Sequence, residues 1–280
     1  MKTSKLLALD IDGTLLTNDH KISSATRDAI LKARAAGAEI VLSTGRGYSI
    51  LPFDLLSGLD IRYAITANGA AVYDLYEQKC LFENSMELEL ALPLLTHLEK
   101  CDIMIHLFTN GKCYHTEAKH RIIEKMDISE HKKTLLHSIG TSVENLTEFS
   151  IKLGMPIQKI SLRFYPLEDG TYKHHDELET YLRRNPSLST VCGGDTSLEV
   201  TKAGVNKGIG LHFLSDYLQI PIEHTIACGD SENDLDIIKA AGLGVAMGNA
   251  SSLLKKAADF VTLPNNEDGV AHLISKFILS

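Results

Sequence analysis

Residues 7–16 read LALDIDGTLL, an apolar run broken by two carboxylates, Asp10 and Asp12, and bent at Gly13. A short apolar run of this kind is a buried strand. Burying a carboxylate without a partner costs several kcal/mol, so a chain that places two acids here needs a cation to meet them. Two carboxylates this close repel unless a cation or a shared proton lies between them. Mg²⁺ suits the pattern, because it takes oxygen ligands and commonly binds one or two carboxylates together with substrate phosphate. An EF-hand calcium loop would need Gly at its sixth position and Glu at its twelfth; counted from Asp10 these are Leu15 and Lys21, which excludes it. A polar helix cap leaves the second acid unexplained.

The same grammar recurs at both ends of the chain. In the first third, KLLALD, AEIVLSTGR and RYAITANGA are strand-like runs separated by helical stretches, of which SATRDAILKARAAG stops at Gly37. In the last third, the helix NKGIGLHFLSDYLQI precedes the strand EHTIACGD, and ENDLDIIKAAG, LGVAMGNA, SSLLKKAA and DFVTL continue the alternation. Alternating strands and helices predict an α/β fold, a Rossmann-like parallel sheet whose ligands sit beyond the carboxyl ends of the strands. Asp10, Thr44, Asn68 and Asp230 each fall at or just after such an end.

Between the two thirds the pattern changes. MELELALPLLTHLEK and TYKHHDELETYLRR read as helices, DIMIHLFTNGKCYHT as two strands around an Asn110-Gly111 turn, and KISLRFYP and SLEVTK as strands. The expectation is an α+β domain of residues 83–189 inserted into a core of residues 1–82 and 190–280. Eight of the twelve histidines lie in the insertion without convincing metal-ligand spacing; His106, His174 and His175 read as surface polar residues. Residues 193–197, GGDTS, read either as a loop of the insertion facing the core or as an exposed hairpin turn.

Composition narrows the function classes. A net charge of −8 without a long Lys/Arg block argues against nucleic acid as partner. Five scattered cysteines form no C-x-x-C pair, which fits a reducing compartment. No stretch reaches the length of a membrane span, and the N-terminal apolar run is too short for a signal peptide. The reading is a soluble cytoplasmic protein, a monomer or small homo-oligomer, with no membrane partner.

Three further motifs could carry chemistry. In STGR, Thr44 and the amides that follow, from Gly45 onward, could meet phosphate oxygens at a helix start, and Arg46 would add a charged fork; a plain strand-to-helix turn is the alternative. Lys207, in GVNKG, stands at a helix N-terminus against the preference of the helix dipole, which suggests a carboxylate or phosphate partner; a solvated first-turn lysine is the alternative. GDSEND at 229–234 brings Asp230, Asn233 and Asp234 to the edge that already holds Asp10 and Asp12, beyond what an N-cap alone would explain.

Taken together, DIDGT, STGR, Lys207 and GDSEND resemble, in order and approximate spacing, the four motifs of the haloacid dehalogenase superfamily. TANGA, GVNKG, GDSENDLDII, AGLGVAMGNA and NNEDGV narrow the likeness to its Cof-type hydrolases, whose C2B-type cap lies between the second and third motifs. The resemblance implies a Mg²⁺-dependent phosphatase acting on small phosphorylated metabolites such as sugar phosphates. It makes Asp10 the nucleophile and Asp12 the general acid and base. Mg²⁺ would be held by Asp10, the backbone carbonyl of Asp12, and Asp230. Thr44, Gly45 and Lys207 would bind the phosphoryl group, Asn233 and Asp234 would order the shell around metal and phosphate, and Arg46 and Asn68 would face the substrate. Asp12 argues against a dehalogenase, which has no alkoxide to protonate. A phosphomutase and a metabolite-binding regulator with vestigial activity are the alternatives.

Overall fold

The computed structural model describes residues 5–192 and 196–280, and the chain divides into two compact units. Unit 1 comprises residues 1–46, 51–83 and 206–280. It is built on an eight-stranded sheet of β1 (Leu6–Leu9), β2 (Glu39–Ser43), β3 (Tyr63–Thr66), β4 (Ala71–Asp74), β5 (Lys79–Glu83), β12 (Thr225–Gly229), β13 (Leu243–Ala246) and β14 (Phe260–Val261). The order is β14-β13-β12-β1-β2-β3-β4-β5. All neighbours from β14 to β3 run parallel, while β3, β4 and β5 form an antiparallel meander.

The continuous apolar run of β1 is explained by its place at the centre, where every one of its residues is buried. Parallel pairing sets Leu9 beside Leu42 and Cys228. The residues that follow each strand, Asp10, Thr44 and Asp230, therefore emerge at one edge. The helix Ser24–Ala35 returns the chain from β1 to β2, with Ser23 capping its start by accepting from the Thr26 amide. The helix Lys207–Tyr217 is capped in the same way by Asn206, which accepts from the Ile209 amide.

Unit 2 comprises residues 47–50 and 84–205. Its six strands are β6 (Met104–Thr109), β7 (Lys112–Thr116), β8 (Thr141–Val143), β9 (Lys159–Arg163), β10 (Leu188–Cys192) and β11 (Ser197–Lys202), in the order β10-β11-β9-β6-β7-β8. The Asn110-Gly111 turn joins β6 to β7 as expected, with both residues at positive φ. Alternate residues of the strands, among them Ile105, Leu107, Ile160, Leu162, Leu198 and Val200, form an apolar core with the helices Leu88–Leu98, Leu146–Leu153 and His175–Arg183.

The insertion is longer than the sequence reading gave it. Its second boundary falls at Val205/Asn206 and not at residue 190, because β10 and β11 pair with each other and β11 with β9. His106 is a correction of another kind: on β6 it is 3% exposed, a buried residue, while His174 and His175 are half-buried. Of the GGDTS segment, Gly193, Gly194 and Asp195 lie outside the described residues. Among the described residues no helix is long and apolar enough to cross a membrane.

Candidate active site

Asp10 follows β1 and is 5% exposed. Its loop is closed tightly, the Leu15 amide donating to the Asp10 carbonyl at 3.1 Å and the Leu16 amide to the Ile11 carbonyl at 2.9 Å. Gly13 makes the bend possible in two ways. Its φ is +80°, and a Cβ there would lie 2.4 Å from Oδ2 of Asp230. The bend thus lets the loop after β1 approach the residue after β12.

Lys207 is the cation that the apolar run required. It is fully buried at the first turn of its helix, and Nζ donates to Oδ1 of Asp10 at 2.8 Å and to Oδ1 of Asp234 at 2.6 Å. Burial disfavours its charge, but the two carboxylates outweigh burial and raise its pKa, so it is a fixed cation. Asp234 is equally enclosed, and its Oδ2 accepts from the amides of Asp230 (3.0 Å) and Ser231 (3.1 Å). This strut needs a bare backbone beside it: a Cβ on Gly229 would sit 2.3 Å from Cγ of Asp234.

Asp10, Asp230 and Asp234 each offer a carboxylate oxygen, all within 4.8 Å of one another, the one such metal-sized group among the described residues. Three carboxylates against one ammonium leave a formal charge of −2. Burial holds the Asp10 carboxyl well above the ordinary aspartate range, with Lys207 pulling it back and Asp234 pushing it further. Asp230 is pushed up to about 6, by burial first and then by Asp234. An all-oxygen set with uncompensated negative charge is the chemistry a hard divalent cation accepts. Both oxygens of Asp234 are already engaged, which leaves Asp10 and Asp230 as the carboxylates best placed to ligate.

Asp12 stands apart from this cluster, half-exposed. Arg46, expected to face the substrate, instead grips it as a fork, Nε to Oδ2 at 2.8 Å and Nη2 to Oδ1 at 2.6 Å. Burial opposes the guanidinium charge, but the hydrogen bonds to Asp12 keep the Arg46 pKa raised.

The STGR segment is organised by its own backbone. The buried Thr44 accepts at Oγ1 from the Arg46 amide (3.1 Å), across Gly45, and at its carbonyl from the Asn68 amide (3.1 Å). Asn68 sits in left-handed backbone at φ 59°, and Nδ2 of Asn233 donates to its Oδ1 at 3.2 Å. The two asparagines that the sequence placed on separate motifs therefore meet.

Two polar residues at the site carried no assigned role in the sequence reading. Thr14 donates from Oγ1 to Oδ1 of Asp230 at 3.4 Å. Asn249 donates from Nδ2 to the Gly13 carbonyl at 2.8 Å and accepts from the Asn265 amide at 2.9 Å, while Asn265 Nδ2 donates to the Leu16 carbonyl. They tie the loop after β1 to the C-terminal strands. The signal was present in AGLGVAMGNA and NNEDGV, whose asparagines follow apolar runs as Asp10 does.

Residues 7–274 match the haloacid dehalogenase-like hydrolase family. Phosphatase YwpJ of Bacillus subtilis is 31% identical over 98% of this chain and 100% of its own length. The 5-amino-6-(5-phospho-D-ribitylamino)uracil phosphatase YcsE of the same organism is 32% identical over 98% of this chain and 96% of its own. Among solved structures, a haloacid dehalogenase-like hydrolase from B. subtilis superimposes with a TM-score of 0.83 at 28% identity, covering 97% of this chain and 99% of that one. A subclass IIB sugar phosphatase of the same superfamily gives 0.81 at 25% identity, covering 98% and 99%.

Proposed function

The chain belongs to the haloacid dehalogenase-like hydrolases, and from that membership we propose that it is a Mg²⁺-dependent phosphatase of small phosphorylated metabolites, working through an aspartyl-phosphate. The observation that carries the reading is the fully buried Lys207 bridging Asp10 and Asp234 beside Asp230. The relatives named for phosphatase activity, one on a phosphoribityl compound and one on sugar phosphates, support the reaction class and a small substrate.

Asp10 Oδ1 is held by Lys207, and Oδ2 accepts no hydrogen bond among the described residues. In the proposed reaction Oδ2 attacks phosphorus and the bond to the leaving oxygen breaks. Asp12 gives its proton to that oxygen. Water then attacks the phosphorus, Asp12 takes a proton from it, and the bond from phosphorus to Asp10 breaks to release phosphate. Both oxygens of Asp12 accept from the Arg46 fork, which holds the carboxylate in place. Lys207 and Thr44 are assigned to the phosphoryl oxygens, with Gly45 contributing its amide; Asn233 and Asn68 order the substrate side, and Asp234 orients Lys207. Mg²⁺ held by Asp10, Asp230 and the Asp12 carbonyl would neutralise charge on the transferring phosphoryl group. Unit 2 is assigned the choice of substrate and the exclusion of water. A cytoplasmic setting accords with the five cysteines, all of them free.

Phosphate release from a panel of phosphorylated metabolites, with Mg²⁺ and with EDTA, tests the proposal. The wild type is expected to release phosphate only with the metal, and Asp10→Asn to release none. Equal release by Asp10→Asn would remove the aspartyl-phosphate from the account.

A further inference from the structure

One face of the unit 2 sheet packs on the helices Leu88–Leu98, Leu146–Leu153 and His175–Arg183; the other carries, beside a smaller apolar cluster of Met104, Ile122, Ile123, Met126, Leu136 and Tyr165, a polar row that the reaction does not use. Register aligns His106, Ser161 and Glu199 across β6, β9 and β11, with Met104, Arg163 and Ser197 in the next row and Phe108 opposite Lys159. Directly paired and alternate residues share a face, so Arg163 lies diagonal to both His106 and Glu199. Lys159 donates to Oε1 of Glu199 at 2.6 Å and lies over the Phe108 ring, its Nζ 5.0 Å from the centroid. Oε1 of Glu199 is thereby engaged by Lys159; the Glu199 charge also acts on Arg163, but burial outweighs it there. Arg163 forms no ion pair among the described residues, and its Nε is enclosed without a hydrogen-bond partner. His106 is 3% exposed, and its Nε2 is also enclosed and unpartnered.

These are costly arrangements. An enclosed donor without a partner forfeits the hydrogen bonds it made to water, and an uncompensated buried charge forfeits more. Burial, and then the Arg163 guanidinium, keep the His106 imidazole well below its ordinary pKa and therefore neutral. Lys159, Arg163 and Glu199 together leave one positive charge among the described residues of this face. Neutral polar ligands would satisfy the imidazole but not the guanidinium.

We propose that this face of unit 2 is an oxyanion-binding site, in which the Arg163 guanidinium and the neutral His106 imidazole receive a carboxylate or phosphate group. A guanidinium beside a neutral ring nitrogen that can donate matches the oxygens of such a group, as a lysine alone would not. The oxyanion has two sources: the carboxylate of a small organic acid, or a free inorganic anion.

The His106 ring resonances, followed by NMR, read the site directly and without turnover. They are titrated with inorganic phosphate, 6-phosphogluconate and glucose 6-phosphate in wild type, Arg163→Gln and Arg163→Lys. A saturable shift is expected in the wild type, weakened about tenfold or more in Arg163→Gln and partly retained in Arg163→Lys. A shift with inorganic phosphate assigns the site to a free anion; a shift with 6-phosphogluconate but not with inorganic phosphate or glucose 6-phosphate assigns it to an organic carboxylate. No saturable shift with any of the three anions, or equal shifts in all three proteins, overturns the proposal.

Discussion

At the scale of single residues, the site is governed by one buried lysine set against several acids. Lys207 has no water to solvate it, and its charge is met by Asp10 and Asp234 at 2.8 and 2.6 Å. Removing one member of such a network leaves the others buried and uncompensated, at roughly 3–5 kcal/mol. Lys207→Met, which keeps much of the volume and loses the charge, is expected to lower unfolding stability in urea by that order at pH 7 without metal. Loss of less than about 1 kcal/mol would show that the acids, and not the lysine, adjust. This partnership was legible in part, because a lysine at a helix start opposes the dipole and asks for an anion. The grip of Arg46 on Asp12 was not legible: both residues were assigned by type, and which cation meets which acid is decided by side-chain reach that spacing does not encode.

At the scale of elements, histidines on β6, on β7 and in the helix Glu117–His120 create an acid-sensitive layer in unit 2. His106, His115 and His120 are all buried, with the rings of His115 and His120 stacked at 3.8 Å. Burial is the largest cause lowering all three pKa values. Arg163, Lys159 and the other two histidines add to it at His106, and His137 adds at His115 and His120; Glu117 opposes it at the latter two. The unfolded chain takes up protons at these histidines near pH 6.5 while the folded chain does not. Their contribution is therefore intact above that pH and lost as pH falls below it, by up to about 1.4 kcal/mol per pH unit for each proton. Thermal unfolding of unit 2 at pH 7.5 and 5.5 should show the loss, and His120→Phe should reduce it; an equal loss in the variant would place the cause elsewhere. The sequence reading found the strands β6, β7, β9 and β11, the first two on either side of the Asn110-Gly111 turn. It missed β10, all of whose residues are half-buried and so carry no period, and with it the far boundary of the insertion. It also missed β4 and β5, because a sequence of parallel βα units gives no warning that the sheet continues as a meander.

At the scale of the whole molecule, two units with separate cores are expected to unfold as two cooperative transitions. The acid cluster that fits Mg²⁺ lies wholly in unit 1. Saturating Mg²⁺ should therefore raise the unit 1 transition, by about 2.7 kcal/mol at one hundred times the dissociation constant, and leave the unit 2 transition in place. Calorimetry with Mg²⁺ and with EDTA checks this, and an equal shift of both transitions would contradict it. The central claim, that Asp10 accepts a phosphoryl group, is tested most directly by covalent trapping. The protein is mixed with Mg²⁺ and the best substrate from the panel, quenched in acid within one turnover, and its peptides are weighed by mass spectrometry. The account predicts one added phosphoryl group on the peptide carrying Asp10, absent from Asp10→Asn. Phosphate release by the wild type with that peptide unmodified at every quench time would contradict it.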